Sequence, residues 1–204
     1  GAKVFTHAED LNLSNGGRMH EGNTSVLLGL KGIPSITEEL AIKRDIELAK
    51  YTNSSIHFSH ISSKVSVEII QKAKKKGLPI TCDVAIANLC YTDTDLVDYN
   101  SNLKLNPPLR SKEDKKALWN GLLDGTIDAI VTDHLPQNTE LKEVEFEYAD
   151  EGMIMLQTAL PLLLANAPIA FNTDILVQKL STNPRTILNK PIPVFEKGEV
   201  ADFI

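Results

Sequence analysis

Three short apolar runs in this chain each end in a residue that can bind a metal or move a proton. Val4-Phe5-Thr6 runs into His7, followed by Glu9-Asp10. Ile56-His57-Phe58-Ser59 runs into His60, followed by Ser62-Ser63. The β-branched stretch Ile127–Val131 ends in Asp133-His134, shortly before Pro136. Each reads as a buried strand delivering a polar side chain to its C-terminal end, where parallel α/β barrels carry their chemistry. Two neutral imidazoles and a carboxylate suit zinc and similar ions. Taken singly, each has a bland reading: a hydrogen-bonded core or surface histidine, or a turn or N-cap aspartate. His57 lies three residues before His60. An odd offset along a strand points to the opposite face, so His57 is expected to face the helix layer and be structural. His20, in a Gly-rich loop with no partner in view, is expected to be exposed.

The elements that must position these residues alternate. Strands are expected at 3–7, 55–60, 78–84 and 127–132. Helices are expected at 37–51, 64–76 and 112–123, with further helices at 151–165 and 173–181. Residues 12–36 read as a loop rich in Gly and Asn. The first helix places Leu40, Ala41, Ile42, Ile46, Leu48 and Ala49 largely on one face, with Thr37 as N-cap. The second directs Val65, Val67, Ile69, Ile70 and Ala73 inward and stops at Gly77. The third starts behind Ser111 and closes at Gly125, with Leu118, Leu122 and Leu123 inward. This alternation implies βαβ units and a parallel sheet. A complete eight-stranded barrel needs roughly 250 residues. The 204 residues here, with four such strands, read as about half of one.

The net charge of -6 and pI near 5.4 argue against nucleic acid or an anionic membrane as partner. The one dense basic run, Lys72-Ala-Lys-Lys-Lys76, reads as a solvated helix end where cations complement the dipole. No apolar run approaches the ~18 residues of a membrane-crossing helix, and no leader sequence is read at Gly1-Ala2-Lys3. Cys82 and Cys90 are too few for a disulfide framework and suit a reducing cytoplasm. Neither has a Cys-x-x-Cys partner, so both read as small buried residues.

In order along the chain stand His7-Ala-Glu-Asp10, His60-Ile-Ser-Ser63, Asn106-Pro-Pro-Leu-Arg110, Leu122-Leu-Asp-Gly-Thr-Ile-Asp128 and Thr132-Asp-His134. Together these motifs resemble the second half of a dihydroorotase of the cyclic amidohydrolase superfamily. The resemblance continues through Gly152 and Ala159-Leu-Pro-Leu162 to Lys197-Gly-Glu-Val-Ala-Asp202. It implies a distorted (β/α)8 TIM barrel of the metal-dependent hydrolase type, with only about the second half present. Residues 1–190 would be the barrel half, and 191–204 the start of a return into a small β-sandwich. It also implies one or two divalent metal ions, zinc above all, whose first-strand His-x-His ligands are not in this chain. The implied activity is hydrolysis or closure of dihydroorotate in cytoplasmic pyrimidine synthesis. The partners would be a small cyclic amide substrate and further copies of the chain.

On this resemblance His7, His60 and Asp133 are metal ligands, and Asp133 is also the catalytic proton carrier. Asn106, Gln137 and Gly152 fall at substrate-binding positions; Arg110 is expected only as a charge leading the next helix. Three departures from the family pattern stand out. A proline and two histidines are replaced by Ile86-Ala87-Asn88. A substrate-binding histidine is replaced by Gln137, which cannot carry positive charge toward a substrate carboxylate. A Pro-Phe-Gly segment is replaced by Asp150-Glu151-Gly152, where Glu151 is expected to repel an anionic substrate. These departures open two alternatives: a non-catalytic dihydroorotase-like partner of aspartate transcarbamoylase, or an amidohydrolase acting on another cyclic amide or ureide.

Overall fold

The computed structural model describes residues 3–194 and 196–198. In chain order its elements are Lys3–His7 (β1), Leu11–Ser14 (α1), Met19–His20 (β2), Asn23–Leu28 (α2), Gly32–Ile33 (β3) and Ile36–Thr52 (α3). Ser55–Ser59 (β4), Lys64–Lys75 (α4), Ile80–Ala85 (β5), Ile86–Cys90 (α5), Lys112–Leu123 (α6) and Ala129–Val131 (β6) follow. Thr139–Lys142 (α7), Ala159–Asn166 (α8), Thr173–Val177 (α9) and Asn183–Ile187 (α10) complete them. No helix among the described residues is long and apolar enough to cross a membrane.

The four main strands form one sheet in the order β1-β4-β5-β6, and every pairing is parallel. Parallel neighbours need a crossover, and α3, α4 and α6 supply them. This is the α/β arrangement that the sequence alternation predicts. Strand limits move slightly: the third strand starts after Pro79 and runs to Ala85, and the fourth is trimmed to Ala129–Val131.

The helices bury what their periodicity offers, with exceptions. In α3, Ala41, Ile42 and Ile46 are buried, whereas Leu40 and Leu48 remain exposed. Thr37 is not the N-cap. That position is Ser35, which makes no side-chain cap bond, and the buried Thr37 hydroxyl instead donates to the Pro34 carbonyl at 2.8 Å. In α4, Val67, Ile70 and Ala73 are buried while Val65 faces out. Gly77 ends this element with φ +76°, a conformation that favours glycine.

The start of α6 is fixed by a reciprocal cap. Ser111 Oγ accepts from the Asp114 amide at 3.2 Å, and Asp114 Oδ2 accepts from the Ser111 amide at 3.2 Å. Asp114 Oδ1 also accepts from the Lys64 amide at 2.8 Å, so the same carboxylate caps α4. Leu118, Trp119 and Leu122 then pack inward. Cys82 and Cys90 are buried as expected, and burial raises both thiol pKa values, that of Cys90 to about 12.

Two loop expectations change. Residues 12–36 contain the short helices α1 and α2, and β2 pairs with β3 in parallel. Of the helix expected over 151–165, only Ala159–Asn166 forms; 151–158 is irregular, with an isolated bridge between His134 and Met153. The last helical stretch runs from Thr173 through Ile187, past the expected 181. The expected return into a β-sandwich, 191–204, falls in part on residues 195 and 199–204, which lie outside the described residues. Residues 191–194 and 196–198 form no strand.

Replacing Ser111 by Ala removes one half of the reciprocal cap. Urea unfolding should then show a loss of about 1 kcal/mol, and Ser111→Asp should lose less. Equal stability of Ser111→Ala and the parent protein would show that the cap contributes nothing.

Candidate functional site

The faces of the sheet decide what each strand presents. Val4, Thr6 and Ile56 line a crevice together with Arg44, Asp45 and Leu48 of α3. Thr6 Oγ1 also donates to Asp45 Oδ2 at 3.4 Å. Side chains alternate along a strand, so Phe5, His7 and His57 face away from α3. Phe5 and His57 confirm this by packing their rings at a centroid distance of 4.8 Å. His57 therefore does not face the helix layer. It is buried against β5, with Nδ1 2.8 Å from Thr81 Oγ1 and Nε2 2.9 Å from Asp83 Oδ2.

His7, His60 and Asp133 meet at the C-terminal edge of the sheet. The ring centroids of His7 and His60 lie 6.0 Å apart, with the ring planes inclined at 60°. His60 Nε2 is 3.9 Å from Asp133 Oδ1. His60 and Asp133 both have left-handed backbones, φ +57° and φ +48°. Non-glycine residues seldom adopt this conformation, and it clusters at functional sites.

Asn106 completes the edge. Its Oδ1 lies 3.3 Å from His7 Nε2, and its Nδ2 donates to Glu9 Oε2 at 3.2 Å. Glu9 Oε2 is also 3.8 Å from His7 Nε2. Because a carboxylate only accepts, Glu9 fixes which end of the Asn106 amide faces His7. Glu9 was not singled out from the sequence. Its spacing two residues beyond His7 was the available signal.

The donor set suits zinc chemically, with two imidazoles and a carboxylate. Two ligands of one zinc lie at most about 4 Å apart, given bonds of roughly 2.0–2.2 Å. The His60–Asp133 separation fits that span, whereas His7 is turned toward Asn106 and Glu9. Among the described residues, no three His, Cys, Asp or Glu side chains are gathered closely enough to enclose an ion.

Beside this edge runs a buried polar network. Arg110 is 4% exposed, not a surface charge leading a helix. Its Nε donates to Ser62 Oγ at 2.7 Å, and its Nη2 lies 3.5 Å from Glu38 Oε2. His20 is half-buried rather than exposed, with Nδ1 3.3 Å from Arg110 Nη1. Burial, and next the Arg110 charge, lower the His20 pKa below its ordinary 6.5.

Gln137 and Gly152 belong to the segment that follows Asp133, which pairs back on itself at His134 and Met153. Gln137 Nε2 donates to the Glu151 carbonyl at 2.8 Å. Gly152 has φ +131°, and a Cβ there would meet the Leu135 carbonyl oxygen at 2.4 Å, so only glycine fits. His134 Nδ1 accepts from the amides of Met155 and Leu156 at 3.0 and 3.2 Å, which places its hydrogen on Nε2. Beneath the loop, Lys104 Nζ donates to the carbonyls of Phe146 and Glu147, and Lys142 Nζ to those of Asp150 and Gly152. Burial is the largest effect lowering both lysine pKa values, and the Glu151 charge opposes it in each. The Glu151 charge is therefore partly balanced by two cations, so the repulsion expected of it is reduced.

A family described as Dihydro-orotase-like matches residues 2–66. The chain is 48% identical to the dihydroorotase of Pelobacter propionicus over 200 residues, covering 98% of this chain and 47% of that protein. It is 45% identical to the dihydroorotase of Syntrophus aciditrophicus, again covering 98% of this chain and 47% of that protein. The chain is a dihydroorotase homologue. It spans about half the length of the curated relatives it matches.

Solved structures share the fold. The L-hydantoinase (dihydropyrimidinase) of Arthrobacter aurescens superposes with a TM-score of 0.78 at 24% identity, covering 92% of this chain and 44% of that one. The D-hydantoinase (dihydropyrimidinase) of a Thermus species gives 0.74 at 23% identity, with coverages of 91% and 43%.

The His20 environment predicts an acid-side loss of stability. The folded pKa lies below the unfolded value of 6.5, so between them the unfolded state binds more protons. Stability then falls as pH drops from 6.5 through the folded pKa. His20→Gln keeps an acceptor for Arg110 and removes the titration. Its urea midpoint should depend less on pH just below 6.5; an unchanged slope would show that His20 is not the group responsible.

Proposed function

We propose that this chain forms the half of a dihydroorotase-type (β/α)8 barrel that holds His7, His60 and Asp133 at one metal centre, residues 1–190 making up that half. The whole protein then opens or closes dihydroorotate in pyrimidine synthesis. The observation that carries this reading is the meeting of the three residues at the C-terminal edge of a parallel sheet, in a dihydroorotase homologue.

His7 and His60 would hold a zinc ion as neutral imidazoles, with Asp133 beside them. Zinc in such a site supplies Lewis-acid polarisation of the substrate carbonyl. Asp133 accepts a proton from the attacking water and delivers it to the departing ring nitrogen. Its left-handed backbone and its approach to His60 hold the carboxylate at the edge where that transfer occurs. Asn106, with its amide set by Glu9, has a carbonyl oxygen that faces His7 and keeps its second lone pair for a substrate N–H. Gln137 and Gly152 lie on the loop that would line the substrate's far end.

A second reading draws on Gln137. Its amide is engaged by the Glu151 carbonyl and offers no charge to a substrate carboxylate. That favours weak dihydroorotate recognition, as in a non-catalytic partner of aspartate transcarbamoylase or an enzyme for another cyclic amide or ureide.

Both readings are tested on the full-length protein by metal analysis and dihydroorotate hydrolysis. Asp133→Asn should lower kcat at least about 100-fold, the contribution of a positioned proton carrier. Retained turnover in that variant would sink the assignment of Asp133. Gln137→His restores one charge-assisted contact worth about 1.5–3 kcal/mol, so kcat/KM should rise about 10- to 150-fold. A metallated, folded Gln137→His protein with no gain would rule out Gln137 as the source of weak recognition. Zinc binding without any dihydroorotate turnover would select the second reading.

A further inference from the structure

His60 stands at the edge because of an interruption in strand geometry. In a regular strand, residue 60 would share the face of Ile56, which lines the crevice against α3. The left-handed turn at His60, φ +57°, breaks that alternation and returns the imidazole to the face of His7. Something must hold so uncommon a backbone conformation in place.

That hold comes from one residue of the neighbouring strand. Asp83 Oδ1 accepts from the His60 amide at 2.6 Å. The Asp83 carbonyl accepts from the next amide, Ile61, at 3.0 Å. Asp83 Oδ2 accepts from His57 Nε2 at 2.9 Å. A carboxylate only accepts, so His57 carries its hydrogen on Nε2, and Nδ1 accepts from Thr81 Oγ1 at 2.8 Å. Asp83 is 5% exposed and His57 2%. Both carboxylate oxygens are thus committed, one to the turn and one to the histidine that orients the carboxylate.

We propose that Asp83, oriented by His57, is a positioning residue that holds the His60 backbone in its left-handed turn and so aims the His60 imidazole into the metal site. The proposal rests on the reading of His60 as a metal ligand, although the hold on its backbone can be measured separately.

The test uses the full-length protein with Asp83→Ala and Asp83→Asn. Asparagine keeps an oxygen for the His60 amide. Its NH2 group can donate to His57 Nε2 if His57 moves its hydrogen to Nδ1 and donates to Thr81 Oγ1. Asp83→Asn should therefore bind zinc about as tightly as the parent protein, measured by chelator competition, and keep its cobalt(II) d–d spectrum. Asp83→Ala should bind zinc about 10- to 100-fold more weakly, the usual effect of losing a group that orients a ligand, and show an altered cobalt spectrum. Equal affinity and spectrum in Asp83→Ala, with a native circular dichroism spectrum, would overturn the proposal.

Hydrogen exchange of the parent protein decides the matter if Asp83→Ala does not fold. The His60 amide should be protected; exchange at the rate of an open loop would overturn the proposal. A parent protein that binds no zinc but protects the His60 amide would remove the metal reading and leave the positioning of His60 standing.

Discussion

The edge that carries the candidate site depends on a buried ion pair, Glu38 with Arg110. Both side chains are under 5% exposed, where an unpaired charge is costly and a pair persists only with its remaining hydrogen bonds made. They are made. Glu38 accepts from the amides of Ser62 and Ser63 at 3.0 and 3.1 Å and from the Ser62 hydroxyl. Arg110 reaches Ser62 Oγ and the Ile33 carbonyl, with His20 alongside. Three connections that follow different strands, and the start of α3, are thereby tied at one point. Arginine suits this role because its donors fan out in a fixed plane and stay charged. Asn106 lies four residues before Arg110 and His60 two before Ser62, so the placement of both at the edge follows from the same anchor.

A second constraint comes from the parallel sheet. Each crossover returns the chain to the same end, so the C-terminal ends of β1, β4, β5 and β6 form one edge and the residues beyond them are gathered along it. The sheet alone does not aim them. His7 follows the alternation of its strand, but His60 needs a left-handed turn, and Asp133 has one too. Two such conformations among three converging residues indicate that local backbone preference has yielded to the demands of the site.

What could be read from the sequence follows from which forces are local. Helices α3, α4 and α6 and the four strands show in the chain because hydrophobic period and capping are set by near neighbours. Ser111 with Asp114 is such a case. The face of His57 could not be read, because strand parity says which residues share a face but not which face meets the helices. Moreover, His60 leaves the strand through a turn that parity cannot anticipate. Thr37 looks like an N-cap by type, yet the bend at Pro34-Ser35 begins the helix earlier. The segment 151–158 looked helical, but the φ of Gly152 and the pull of His134 on two amides exclude a helix there. The roles of Arg110, His20 and Asp83 escape a local reading because their partners lie 48, 90 and 23 residues away. The signal for Asp83 was there: a carboxylate inside an apolar strand must have buried partners.

The departures at Gln137 and Asp150-Glu151 look, in sequence, like erosion of a binding loop. The packing beneath them argues otherwise. Two buried lysines are spent on backbone carbonyls of residues 146–152, which fixes that loop as firmly as a helix cap fixes a helix end. Lys104 adds a cation–π contact with Phe146 at 5.6 Å. Burying an ammonium is costly unless its donors are satisfied, so an arrangement this complete is not what a decaying segment retains. Glu151 faces the same two lysines, and its charge offsets the Coulomb cost of placing them together. Phenylalanine at this position would remove that offset while adding apolar bulk. Gln137 differs in kind. Its amide donates to the Glu151 carbonyl, whereas the lysines bond to the carbonyls of 146, 147, 149, 150 and 152, so Gln137 can change without removing their hydrogen bonds. The loop's scaffold and the residue proposed for recognition are thus physically separable, and under that proposal a change in what the site binds can be located at Gln137 without any loss of the fold around it.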